Sequence, residues 1–184
     1  MRLAWATDVH LDFLPPNEVD RFAGTIAAAE PDALVLSGDI AEAPSLEHLL
    51  SILARRLDRP VYFVLGNHDF YHGDIATVRA VAAAMGQRSP HLVWLQAAGV
   101  VPLSSTTALV GVDGWGDGRL GDFAGSRIEL TDWVLIADLR LPRSARLERL
   151  RALGDEAASR LRGLLAEALA GFDRVVVATH DGRK

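Results

Sequence analysis

Residues 61–69 read "VYFVLGNHD". Val61 to Leu65 form an apolar run of strand length, and Gly66 stops it. Asn67, His68 and Asp69 follow at once, so an amide, an imidazole and a carboxylate stand where a buried strand leaves the core. An apolar run with no polar alternation reads as a strand covered on both faces, which is the habit of parallel sheets flanked by helices. The chain on either side of this stretch therefore decides the fold.

Upstream, "ALVLSGD" gives a buried strand at Ala33–Leu36, and Leu3 to Thr7 gives a shorter one. Between them lies a helix with Val19, Phe22 and Ile26 on one face, which Asn17 is expected to cap and Pro31 follows. Ser45 is the expected cap of a second helix carrying Leu46, Leu49, Leu50, Leu53 and Leu57. Downstream, Asp74 caps a third with Ile75, Val78, Val81 and Met85, closed by Gly86. The first half thus alternates strand and helix, and the class is α/β. The middle changes character. "LVWL", "VVPL" and "TALVGVDG" read as closely spaced strands with little helix between them. Residues 114–126 hold five glycines and read as a long loop. A long helix begins near Pro142, with Leu147, Leu150, Ala157, Leu161, Leu164 and Leu165 on one face. Gly154 is expected to break it and Gly171 to end it. "RVVVATH" is the last strand.

Composition sets the bounds. The chain has 184 residues, 49% hydrophobic and 23% charged, which suits one globular domain over 1–184. A formal net charge of -5 disfavours nucleic acid as a partner, because no basic excess neutralises phosphates. Without cysteine there is no thiol nucleophile and no zinc–thiolate site. Asp8 comes too early for a signal peptide, and no apolar run has the length of a membrane span, so a cytoplasmic protein is expected.

Ligand-type side chains follow each of four strands: Asp8 and His10, then Asp39, then Asn67, His68 and Asp69, then His180. In a parallel open sheet these strand ends share one rim, where such folds bind ligands. Carboxylates, imidazoles and an amide, without sulfur, suit divalent ions of borderline hardness. Asp39, on the middle one of the first three strands, is placed to bridge two ions. Each residue alone has a plainer reading as a turn former or a surface group; their joint placement outweighs those readings. His48 and His91 do not share it and read as surface residues. His72 is a loop residue or a substrate contact. Trp115, Asp117 and Arg119 lie in the glycine-rich loop and are candidates to meet substrate, although Trp115 packed against the core is the preferred reading.

Asp8-x-His10, Gly38-Asp39, Gly66-Asn67-His68-Asp69 and a strand-end His180 resemble the calcineurin-like metallophosphoesterase family along almost the whole chain. The resemblance implies a four-layer α/β/β/α sandwich with a two-metal site at the strand ends. It implies Asp8 and His10 on the first ion, Asp39 bridging, and Asn67 and His180 on the second. The ions would be manganese, iron or zinc. His68 is then the catalytic acid beside the scissile ester, with Asp69 orienting it. The implied activity is hydrolysis of a small-molecule phosphate ester, monoester or diester, by a metal-bridging hydroxide. The sequence departs from the family after His180: no Gly-His-x-His segment follows, and Asp181-Gly182 does not match the usual proline-containing loop. A shortened member is expected, with the C-terminal part of the family domain missing, activity reduced, an incomplete second sheet and an uncovered strand edge suited to pairing between chains. The alternative is a non-catalytic, degenerate domain that binds a phosphorylated ligand or a partner protein.

Overall fold

The structure is a computed structural model that describes residues 1–180. The expectation concerning Asp181-Gly182 falls outside the described residues. Strands β1 (Leu3–Ala6), β2 (Ala33–Ser37), β3 (Val61–Val64) and β4 (Leu92–Trp94) form one parallel sheet in chain order. Helices α1 (Pro16–Ala28), α2 (Ala43–Leu57) and α3 (Ile75–Arg88) are the crossovers. Each crossover returns the chain to the same end of the sheet, so all strand exits lie along one rim.

A second sheet packs face to face on the first. It contains β5 (Val101–Pro102), β6 (Thr107–Val112) and β7 (Arg174–Thr179), with β5–β6 antiparallel and β6–β7 parallel. Short helices α4 (Leu95–Ala98) and α5 (Asp132–Leu135) and the long α6 (Arg143–Gly171) complete the chain. Leu34, Leu36, Val61 and Phe63 pack outward with the buried faces of α1, α2 and α3. Val35, Tyr62 and Val64 pack inward with Leu109 and Ala178. Val110 and Val112 pack on Leu164 and Ala168 of α6. These three cores separate four layers, α/β/β/α. Alternate residues of β2 and β3 thus serve different cores, which is why both strands are apolar up to Ser37 at the end of β2. Among the described residues the second sheet has three strands, and β7 is an edge where Val176 and Val177 are exposed.

Several boundaries differ from the sequence reading. The first helix starts at Pro16, not at a cap on Asn17, because proline suits the first helical position and wins over a side-chain cap. The second begins at Ala43, with Ser45 inside it and its hydroxyl donating to Glu42 O at 3.1 Å. Asp74 caps α3 as expected, accepting from Thr77 N at 2.8 Å. Gly86 does not close α3, which runs on to Arg88. "LVWL" is strand only to Trp94; Leu95 opens α4. Gly154 does not break α6. A Cβ there would lie 2.9 Å from Asp117 Cβ, so the glycine admits the 114–126 loop against the helix.

Candidate metal centre

The backbone bends sharply at the rim. Asp8, His10 and Asp39 all have left-handed φ angles, of 51°, 39° and 50°. Such a conformation costs a non-glycine residue about 1–3 kcal/mol and persists only where surroundings impose it. Here the two loops impose it on each other: Asp8 N donates to Gly38 O (3.2 Å), His10 N to Asp39 O (3.1 Å) and Leu11 N to Ile40 O (2.8 Å).

The bends gather the side chains around Asp39, which is 1% exposed. His180 Nε2 lies 3.4 Å from its Oδ1; His10 Nε2 and His68 Nε2 lie 3.9 and 4.0 Å from its Oδ2. His68 N also donates to Asp39 Oδ1 at 3.0 Å. Two sets of ligand atoms, His10/Asp39/His68 and Asp8/Asp39/His180, each fall within 4.8 Å of one another. Asp39 belongs to both. The partition differs from the family-derived one, which pairs Asp8 with His10 and leaves His68 off the ions. The donor chemistry fits divalent cations, since a buried carboxylate ringed by imidazoles offers lone pairs once the rings are neutral.

His180 is held in a definite tautomer. Its Nδ1 lies 2.8 Å from Ser37 O, an acceptor only, so Nδ1 carries a proton and Nε2 faces Asp39. Burial disfavours its charge, but Asp39, the Ser37 carbonyl and Asp8 outweigh burial and raise its pKa to about 9. Burial likewise opposes the charge on Asp39, yet His180 and His68 hold its pKa below the ordinary value. Asp69 is fully buried. Its Oδ1 accepts from Ile40 N (2.7 Å) and Ala41 N (2.9 Å), its Oδ2 from Gly66 N (2.7 Å). It thereby ties the loop after β2 to the loop after β3. Burial pushes its pKa up to about 7 against those three donors, with Asp39 adding to the rise. The His68 ring stacks on Tyr71 at 4.2 Å and meets His10 edge-on at 4.7 Å.

Asn67 donates from Nδ2 to Asp132 Oδ1 at 2.8 Å, and the Tyr71 hydroxyl donates to the same oxygen at 2.5 Å. Asp132 was not legible as a site residue. It follows no strand, and only the packing of α5 brings it to the rim. Trp115 packs on Phe70 at 5.1 Å as part of the core, and Arg119 pairs with Asp117 and Asp155. His72 is exposed, 3.5 Å from Glu42. His48 is exposed and His91 lies near Asp58.

Comparison with known proteins agrees with this architecture. The crystal structure of phosphopantetheinyl hydrolase (PptH) from Mycobacterium tuberculosis superposes with a TM-score of 0.64 at 19% identity, covering 97% of this chain and 67% of that one. A search of proteins with curated functions finds no match. The family model described as calcineurin-like phosphoesterase matches residues 1–183. Two facing sheets and that match converge, and the chain belongs to the calcineurin-like phosphoesterase family.

Proposed function

We propose that this protein is a metal-dependent phosphoesterase acting on a small-molecule phosphate ester. The observation that carries the reading is the place of buried Asp39, whose Oδ1 faces His180 Nε2 at 3.4 Å while its Oδ2 faces His10 Nε2 at 3.9 Å. Asp8, His10, Asn67 and His180 complete the candidate ligand set, and two divalent ions would share Asp39. Bound there, such ions supply Lewis-acid polarisation of phosphoryl oxygens and a water made acidic enough to attack near neutral pH.

The chain's own residues do the rest. His68, part-exposed at the rim and stacked on Tyr71, donates a proton to the departing alkoxide oxygen, a role worth about 10²–10⁴-fold. Asp69 acts through the backbone, fixing the turn that carries His68 by its bond to Gly66 N. The left-handed bends at Asp8, His10 and Asp39 hold their side chains converged before substrate arrives. The neighbour's activity on a phosphopantetheinyl group makes esters of that kind the first natural candidates, and diesters belong in the substrate screen with monoesters.

The test is hydrolysis of an aryl phosphate by chelator-treated protein, with and without added manganese. Activity that does not depend on manganese, iron or zinc would end the reading. Metal titration across pH sharpens it. In the metal-free fold His180 keeps its proton up to about pH 9, and that proton competes with an ion. Apparent affinity is therefore expected to climb about tenfold per pH unit from neutrality and to level off near pH 9. A flat profile over that range would contradict His180 as a ligand.

Gly66 gives a steric check. A Cβ at this position would sit 2.3 Å from Asp39 Oδ1 and 2.5 Å from Asp39 N. Gly66→Ala must therefore displace the shared carboxylate, and a shift near 1 Å is expected to cost about 10²-fold in kcat/KM. Wild-type rates in this variant would show that the position of Asp39 does not matter.

A further inference from the structure

We infer that Asp132 is a positioning residue that fixes which end of the Asn67 amide faces the metal centre. The inference rests on the metal-centre reading above. A carboxylate under these conditions only accepts hydrogen bonds, so the Asn67 atom 2.8 Å from Asp132 Oδ1 is the NH2 group. That leaves the amide oxygen, the only metal-binding atom of the side chain, as the end not engaged by Asp132. A free asparagine flips its amide readily. This one is latched.

The latch is built to hold its place. Asp132 opens α5, and three hydrogen bonds, two between backbones and one to a side chain, clamp α5 and the turn after it onto the segment following Asn67. His72 N donates to Leu135 O (3.0 Å), Ala137 N to Gly73 O (3.0 Å) and Ile75 N to Asp138 Oδ2 (2.8 Å). Trp133 is buried beneath the Arg146 guanidinium, 4.6 Å from its ring. Asp132 and Asn67 are 65 residues apart, yet they are fixed to one scaffold. The same carboxylate oxygen receives the Tyr71 hydroxyl, and the Tyr71 ring stacks on His68. One acid therefore sets both the amide of Asn67 and the aromatic wall behind His68. It gives the segment between β6 and α6 a part in the centre that no strand end supplies.

The experiment measures manganese binding by calorimetry and by the electron paramagnetic signal of the free ion, so it does not depend on turnover. Asp132→Ala is expected to weaken binding about 10–100-fold, the range for loss of a group that orients a ligand. Asn67→Asp sets two carboxylates against each other and is expected to weaken it similarly. The swapped double variant Asn67→Asp/Asp132→Asn restores one donor and one acceptor across the same contact. It is expected to regain about tenfold over Asn67→Asp alone, a coupling that mere loss of stability does not produce. Thermal midpoints of the metal-free variants accompany the titrations. Unchanged affinity in Asp132→Ala, or losses that simply add in the double variant, would overturn the assignment. Wild-type protein that binds no manganese would instead defeat the metal-centre reading itself, which the same titration reports first.

Discussion

Replacing Asp39 with asparagine is expected to lower kcat/KM for an aryl phosphate by about 10³-fold or more, equivalent to roughly 4 kcal/mol of transition-state stabilisation. The expectation follows from position. Asp39 is the one carboxylate in both candidate ligand sets, and it is 1% exposed. Its charge also holds His180 before any ion binds, with Nε2 of that ring 3.4 Å from its Oδ1. Asparagine keeps the shape and one acceptor oxygen, so the bond from His68 N at 3.0 Å survives and the fold should too. What disappears is the negative charge. Two consequences separate this from general damage. The number of ions bound per chain should fall, and His180 should titrate far below about 9 in the metal-free variant, because burial is then unopposed by Asp39. Histidine NMR titration reads the second effect directly. A rate loss under tenfold, or an unchanged ion count, would mean that Asp39 is not the shared ligand.

The site was legible where it follows from strand exits. Asp8, Asp39, Asn67 and His180 each stand just after an apolar run; parallel topology alone brings the first three to one rim, whereas His180 follows β7 of the second sheet and arrives there through the packing of one sheet on the other. Direction was legible too, since residues 33–36 and 61–64 are apolar at every position and must be covered on both faces. The finer geometry was not legible. The grouping of His68 with His10 depends on left-handed bends that no residue pattern announces. Asp132 depends on a fold of residues 114–139 that has no apolar period to read. Helix starts at Pro16 and Ala43 were displaced from the nearest polar cap by prolines that suit the first helical turn. Gly154 reads as a helix breaker on propensity alone, yet the helix needs a glycine there because a loop from elsewhere in the chain lies against it. In each case a contact distant in sequence overrode a local preference.

Asp113 carries the largest expected effect on stability. It stands at the end of β6, where "VDG" repeats the strand-exit pattern of the candidate ligands, but it points to a different task. Its Oδ1 accepts from Leu65 N (2.9 Å) and Trp94 Nε1 (3.1 Å), its Oδ2 from Arg79 Nε (3.3 Å), while its own N donates to Gln96 Oε1 (2.9 Å). Arg79 continues to Glu156 on α6 at 2.7 Å. One fully buried acid thus joins both sheets to α3 and, through Arg79, to α6. Asp113→Ala leaves two buried N–H groups without their acceptor and takes from Arg79 one of its two acid partners, and is expected to cost about 3–5 kcal/mol in urea unfolding. The pH dependence supplies a signature. Burial pushes the pKa of Asp113 up to about 6, despite Leu65, Trp94 and Arg79 favouring its charge. Between pH 4 and 6 the folded chain therefore keeps a proton that the unfolded chain has lost. By linkage the contribution of Asp113 to stability is complete below the unfolded pKa and declines as pH rises through about 6. Asp113→Asn cannot titrate there. The wild-type advantage over this variant should accordingly shrink between pH 4 and pH 7, by something on the order of 2–3 kcal/mol for a shift of about two pH units. Asp69, raised in the same direction, is common to both proteins and drops out of the difference. A constant difference across that range would mean that Asp113 is charged throughout and that its contacts, not its burial, set its state.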